Sequence, residues 1–532
     1  MSSGFLAAVL PSPSPGSSFG AGAIGVSFLL SFMIWVPVIA AAAIALFPDP
    51  RRRHGRAMLN AAFWTNATLA GIAVIAYGQF VLATGGVQFE EKYPWLPAIG
   101  VTYHLGVDGV GMVMLLLSSI VGVVAVLASA GVRERTREYF CLLLLAQAAV
   151  NGVIAARDVF VLVLFWAAAI VPLALLVGGW GGLRRTTAAT RLLLHWGFGT
   201  AALAVAALML YVAAGGQSFD YDVLLKAAPP PRAQVGIALA LIVAAASRLP
   251  LVPFQGWARE VFAEAPAGVA VLVAGSATRL GGYLLVRLLV AGQHDGATLL
   301  APLLALMAAA TAAYGGIAAL GRQDIRRSAA YLALLPGAIA ALGAAALTPL
   351  AVGGSVFMLF AGGLVAALMV GACATVAERA QTRSLALLGG LAARSPRLAW
   401  PFVLAALAVI GVPGMASFAS ELMVFLGSFK SQPAGAFGAG LGLLLAAASL
   451  AVLLYRVAFR PPNRDAPGTG EPSGAETWYL GVLAGALLYF GLIPGGPKIG
   501  GVPLPLDPGI VNVLGPAAAD IAAPYVPGGG GP

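Results

Sequence analysis

Length without charge constrains this chain most. Apolar stretches of roughly 18 residues or more follow one another along it, beginning with IGVSFLLSFMIWVPVIAAAAIALF at 24–47. About 20 residues at 1.5 Å rise cross the hydrocarbon of a bilayer. Backbone at that depth must satisfy its own hydrogen bonds, so each stretch reads as a helix. Fourteen spans are expected, near 24–47, 57–83, 107–130, 138–156, 158–180, 188–213, 234–254, 267–291, 299–319, 328–348, 350–376, 398–428, 435–458 and 476–494. A transmembrane barrel would instead show alternating segments of roughly ten residues. Only 9% of the residues are charged, against about a quarter in soluble domains, which argues against a soluble fold. The fold class expected is an all-α polytopic membrane protein.

Where the charges fall tests the count. With fourteen spans, one set of alternate loops holds 21 of the 30 basic residues, including Arg51, Arg52, Arg53, Arg133, Arg184, Arg327 and Arg383. The other set, with the termini, holds six: Lys92, Arg157, Lys226, Arg232, Lys430 and Lys498. Basic residues gather in cytoplasmic loops, so both termini are expected outside the cell and the protein in the cell membrane. The net charge of +10 is then topogenic, and no nucleic-acid partner is expected. Segment 1–23 reads as an extracytoplasmic lead and 24–137 as N-terminal helices, with 459–494 a connector and last helix and 495–532 an extracytoplasmic tail. The first residues lack the basic stretch of a signal peptide, and the terminal VPGGGGP reads as flexible. Cys141 and Cys373 fall in apolar stretches, and His54, His104, His195 and His294 are scattered, so no metal site is expected.

Two spans are interrupted by proline and glycine: SRLPLVPFQGW, broken near 247–256, and IGVPGMASFASE, broken near 411–417. Irregular backbone at membrane depth persists only against protein or a water-filled cavity. Paired broken helices in two halves of a chain point to a transport path. Arg248, Arg279 and Glu421 lie inside spans, where a charge costs about 2.5–3.5 kcal/mol to insert, which makes each a functional candidate. Arg287 lies near a span end, where a long side chain snorkels, and Asp108 stands at a span start, where an interfacial position is expected. Gln147 and Asn151 share one helix face and read first as glue between helices.

In order along the chain come YHLGVDGVGMVMLLLSS, DVFVLVLFWAAAIVPLALLVGGWGG, SRLPLVPFQGWAREVFAEAP, ATRLGGYLLVRLL, RQDIRRSAAY, LGGLAARSP and GVPGMASFASELMVFLGSF. This series resembles the M-type subunits of bacterial respiratory complex I, counterparts of mitochondrial NADH dehydrogenase subunit 4, and is more distantly similar to Mrp-type antiporter subunits. The resemblance implies two inverted five-helix repeats, here 138–291 and 299–458, each with a half-channel. It also implies a midplane row of titratable side chains for protons, other membrane-arm subunits as partners, and no NADH, flavin or iron–sulfur cofactor of the subunit's own. The chain carries no dinucleotide fingerprint and no cysteine ligand set.

Set against the resemblance, the proton-path candidates Arg248, Arg279, Glu421, Gln147 and Asn151 include only one retained carboxylate, Glu421. The family's glutamate after FW is Ala167 here, its lysines stand as Arg248 and Arg279, its histidine is Pro336, and its lysine in the span at 350–376 is Val365. Lysine can lose a proton when buried, whereas arginine stays protonated and alanine, proline and valine carry none. No catalytic redox residue is expected in this chain. The expected function is a membrane-arm subunit of a proton-translocating NADH:quinone oxidoreductase with an impaired or rerouted proton path. The alternatives are a subunit of a cation/proton antiporter, membrane-bound hydrogenase or inorganic-carbon uptake complex, or a proton-silent scaffold.

Overall fold

A computed structural model describes residues 28–47, 54–80, 86–227, 229–461, 470–496, 498–499, 502–503 and 509–526. The expected lead at 1–23, the Arg51–Arg53 triplet and the glycine-rich end lie outside the described residues.

The chain opens with α1 (Leu29–Leu46) and α2 (Gly55–Gly78), then a hairpin of β1 (Gln88–Leu96) and β2 (Val101–Val107). Next come α3 (Gly109–Ala128) and α4 (Thr136–Ala155). The following span is two pieces, α5 (Val159–Ala168) and α6 (Ile170–Trp180), interrupted just before Pro172, whose missing N–H leaves the Ala168 carbonyl without its helical partner. After α7 (Arg185–Ala213) and the short α8 (Tyr221–Lys226), α9 (Pro231–Arg248) stops inside the expected span. The chain unwinds over Leu249–Phe254 and resumes as α10 (Ala258–Glu264). The next span holds α11 (Ala267–Leu272), a π-helical turn at Val273–Ala277, and α12 (Arg279–Leu284).

In the second half, α13 (His294–Leu320) leads to α14 (Ile325–Leu332) and α15 (Leu335–Ala345), which are separated just ahead of Pro336. The 31-residue α16 (Pro349–Arg379) is the buried axis of the molecule. It packs on α3, α11, α15, α18 (Pro396–Val409) and α19 (Ala416–Ser428); the four-residue α17 (Leu391–Arg394) precedes α18. Helices α20 (Pro433–Leu454) and α21 (Gly474–Leu492), a short hairpin of β3 (Lys498–Ile499) and β4 (Val502–Pro503), and α22 (Ile510–Ala522) complete the chain.

Among the described residues, twelve helical segments are long and apolar enough to cross a membrane. The two expected spans outside that set are the broken ones, α9 and the pair α18–α19. Two features escaped the hydropathy reading. The β1–β2 hairpin joins α2 to α3 in the chain and packs on the ends of α1, α3, α4 and α5. The expected tail contains α22, which packs on α3 and α16 and is followed by Tyr525, whose hydroxyl donates to the Val290 carbonyl at 2.8 Å.

Candidate functional site

The first break begins at Arg248, the last residue of α9, which is fully buried. Its guanidinium lies 4.1 Å from the centre of the Trp166 ring and 4.3 Å from that of Trp196. Nη2 donates to the Trp166 carbonyl at 2.5 Å. Nε and Nη1 are buried with no hydrogen-bond partner among the described residues. A guanidinium over an indole face is worth about 2 kcal/mol or more when desolvated. Two such faces and one carbonyl thus replace the carboxylate that a buried cation ordinarily needs. Trp257, just past the break, closes the box: it meets Trp196 edge-on at 5.1 Å and its Nε1 donates to the Ser247 carbonyl at 2.8 Å. Ala167 follows Trp166 in α5 and offers no charge. Trp166 and Trp257 sit within motifs visible in the sequence, but neither residue type nor spacing marks them as a cage.

Arg279 opens α12 behind the π-helical turn. In that turn Thr278 N–H donates to the Val273 carbonyl five residues back. The Ala274 carbonyl receives Nε and Nη2 of Arg279, each at 3.3 Å, and the Thr278 hydroxyl at 3.1 Å. Nη1 of Arg279 has no partner among the described residues and lies against Gly337, beside Pro336. Leu249 packs against the same Gly337, so an aliphatic side chain stands between the Arg248 box and the Arg279 site.

Glu421 lies in α19, 7% exposed. The preceding break unwinds through Gly411 at φ +61° and Gly414 at φ +94°. A Cβ on Gly411 would stand 2.0 Å from the Glu421 Oε2, so the carboxylate is seated against bare backbone. Glu421 forms no pair with Arg248 across the two halves: Arg248 is held by Trp166 and Trp196. From Arg279 toward Glu421 the neighbours are Pro336, which packs on Gly362; Met358, on the same glycine; and Ser420, 3.8 Å from the Met358 sulfur. None of these side chains titrates near neutral pH. Val365 is fully buried in α16.

Gln147 and Asn151 are buried away from both breaks. Gln147 donates to the Ser118 carbonyl and hydroxyl at 3.0 and 2.9 Å, Ser118 donates to Asn151 at 2.7 Å, and Asn151 donates to the Met33 carbonyl at 2.9 Å. This network ties α1, α3 and α4 together, as interhelical glue does. Arg287 departs from the expectation of snorkelling. It is 5% exposed, forms an ion pair with Asp108, the N-cap of α3, and receives support from the Tyr283 hydroxyl at 3.1 Å. A carboxylate 179 positions away in the chain made the buried charge affordable, a partnership no local pattern announces.

Comparison with known proteins identifies the family and the fold. Residues 156–445 match the family model described as NADH:quinone oxidoreductase/Mrp antiporter, TM. The chain is 32% identical over 427 residues to NAD(P)H-quinone oxidoreductase chain 4 1 of Synechococcus sp., covering 80% of each protein. It is 29% identical over 462 residues to NAD(P)H-quinone oxidoreductase chain 4 of Acaryochloris marina, covering 86% of each. A chain of respiratory complex I from Thermus thermophilus with bound NADH superposes with a TM-score of 0.81 at 25% identity, over 93% of this chain and 99% of that one. A chain of the Mrp complex from Dietzia sp. shares the fold, with a TM-score of 0.81 at 20% identity over 94% and 98% of the two chains. The protein belongs to the NADH:quinone oxidoreductase/Mrp antiporter transmembrane family and, within it, to the chain 4 type of NAD(P)H-quinone oxidoreductase subunits.

Proposed function

We propose that this chain is a membrane-arm subunit of a complex I-like NAD(P)H:quinone oxidoreductase, and that its own lateral proton path is interrupted in its first half. The interruption rests on the Arg248 box. A relay site must bind and release a proton near the working pH. Arginine stays protonated when buried, and here its charge is held by two indole faces and a carbonyl. Ala167, Pro336 and Val365 stand where carriers are needed. The fixed charges at Arg248 and Arg279 raise the electrostatic cost of a proton passing between them. Glu421 keeps a carboxyl able to exchange a proton, separated from Arg279 by Pro336 and Met358. The subunit's role is then to complete the membrane arm and to hold its neighbours in register, while proton translocation by the assembly proceeds through other chains.

Two inverted repeats, 138–291 and 299–458, fit this reading: the broken span is the fourth of five in each. Both termini are assigned to the outside. Cysteines placed at the exposed Arg133 and Lys430 test the orientation, since an impermeant thiol reagent should reach Arg133→Cys only from the cytoplasm and Lys430→Cys only from outside. The reverse pattern would invert the assignment. Affinity purification of the tagged chain from its own membranes, followed by mass spectrometry, tests the parent assembly. Quinone-reducing and electron-input subunits should co-purify in stoichiometric amounts. Recovery of a cation/proton antiporter set without them would overturn the proposal.

A further inference from the structure

On the side of the arginine-rich loops, α1, α4, α6 and α7 leave a cleft of about 790 Å³ between them. Its walls are apolar, with Leu142, Leu175 and Leu193 among them, and its rim carries Arg135, Arg137 and Glu138. Leu175 and Leu193 are exposed on the outer surface of the helices, where a membrane protein meets hydrocarbon.

The rim is built around Arg135. This residue caps α4 with φ +47° and ψ +44°, a left-handed conformation that non-glycine residues rarely adopt and that the surroundings must enforce. Its Nη2 donates to the Gly179 carbonyl at 2.9 Å, and its guanidinium covers the Trp180 ring at 4.3 Å. Trp180 is fixed in turn, its Nε1 donating to the Glu134 carbonyl at 2.8 Å. Arg185 approaches the same Gly179 carbonyl at 3.5 Å. Among the described residues, neither Arg135 nor Arg137 forms an ion pair with a carboxylate. A net-positive rim, with Arg135 held in place, therefore stands over an apolar slot at the start of α4 and the end of α6.

We propose that this cleft holds one anionic diacyl phospholipid, its phosphate on Arg135 and Arg137 and one acyl chain along Leu142, Leu175 and Leu193. Guanidinium groups recognise phosphate oxygens in a forked geometry, and basic pockets between helices on this side of a membrane select anionic headgroups. A zwitterionic lipid would bring a second cation to a rim that is already positive.

The test uses the intact membrane assembly in bilayers of phosphatidylcholine containing a minority of phosphatidylglycerol with a photoactivatable acyl chain. Peptide mass spectrometry should locate crosslinks at Leu142, Leu175 and Leu193. Labelling by phosphatidylglycerol should exceed that by an equally tagged phosphatidylcholine by roughly five-fold per arginine. Arg135→Gln with Arg137→Gln should erase the preference and leave some labelling. Leu175→Trp, which fills the slot and keeps the arginines, should lower labelling by both lipids. Equal labelling by the two lipids, a preference that survives the double substitution, or no crosslink because another subunit covers this face, would each overturn the proposal.

Discussion

The break after Arg248 and the break before Ala416 interrupt membrane helices in the same manner but hold their charges by opposite means. The first is closed by large rings: Trp166, Trp196 and Trp257 enclose a cation whose charge cannot be discharged. The second is opened by glycines, and the Glu421 carboxylate rests against Gly411 backbone, where any side chain would collide with it. One break is therefore a packed electrostatic fixture and the other a seat for a group that titrates. A helix broken at membrane depth is no evidence of a proton path by itself. The lining decides whether the freed backbone serves packing or chemistry.

The largest effect is expected where space is least. Gly411→Val puts a branched side chain at φ +61° and onto Glu421. The left-handed backbone alone costs about 1–2 kcal/mol, and displacement of the carboxylate adds to it. The amount of fully assembled complex should fall several-fold on native gels. Wild-type yield would show that the seat is not as tight as the geometry states.

Arg248→Ala comes next. Truncating a large buried side chain costs roughly 2–5 kcal/mol, part of which is returned by removing an uncompensated charge. The thermal midpoint of the assembled complex should drop by a few degrees. Arg248→Lys should stay close to wild type, because a lysine ammonium also binds indole faces. If lysine were as damaging as alanine, the single bond from Nη2 to the Trp166 carbonyl would matter more than the rings.

A smaller effect is expected away from both breaks, where Asp220, the N-cap of α8, meets Lys92 and His104 of the β1–β2 hairpin. Burial raises the Asp220 carboxyl, but hydrogen bonds and charge from His104 and Lys92 more than offset this and hold it well below the usual carboxylate range. A depressed native value means that Asp220 contributes stability above its unfolded value of about 3.9 and loses that contribution as the pH falls below it. Asp220→Asn should lower the thermal midpoint at pH 7 and lose most of that difference from wild type in strong acid. A difference that does not change with pH would assign Asp220 a packing role only.

Much of this fold is legible in the sequence because the bilayer enforces one rule, that backbone must pair internally. Spans such as α3, α13 and α16 fall within a few residues of their hydropathy limits, and both breaks announce themselves through proline and glycine. The charged residues inside spans were equally plain. What they contact was not. Nothing local couples Arg287 to Asp108, and nothing in residue type distinguishes the Trp196 that cages Arg248 from the tryptophans that face lipid. The β1–β2 hairpin and α22 carry too many polar residues or too short an apolar stretch to register as membrane elements. Gln147 and Asn151 were found by polarity alone, which does not separate glue from a path; their bonds to Ser118 and Met33 do.

On the function proposed above, protons do not cross this subunit laterally, because the first half holds fixed charges at Arg248 and Arg279. Glu421→Gln is the sharpest test, since it removes the buried carboxyl beside the second break and keeps its shape. The variant complex, shown to be fully assembled, is reconstituted in liposomes, and the protons moved per electron transferred are measured with an internal pH dye. The wild-type ratio is expected. A clear fall in that ratio, at unchanged electron transfer and unchanged assembly, would contradict it and show that protons reach Glu421 and continue past it.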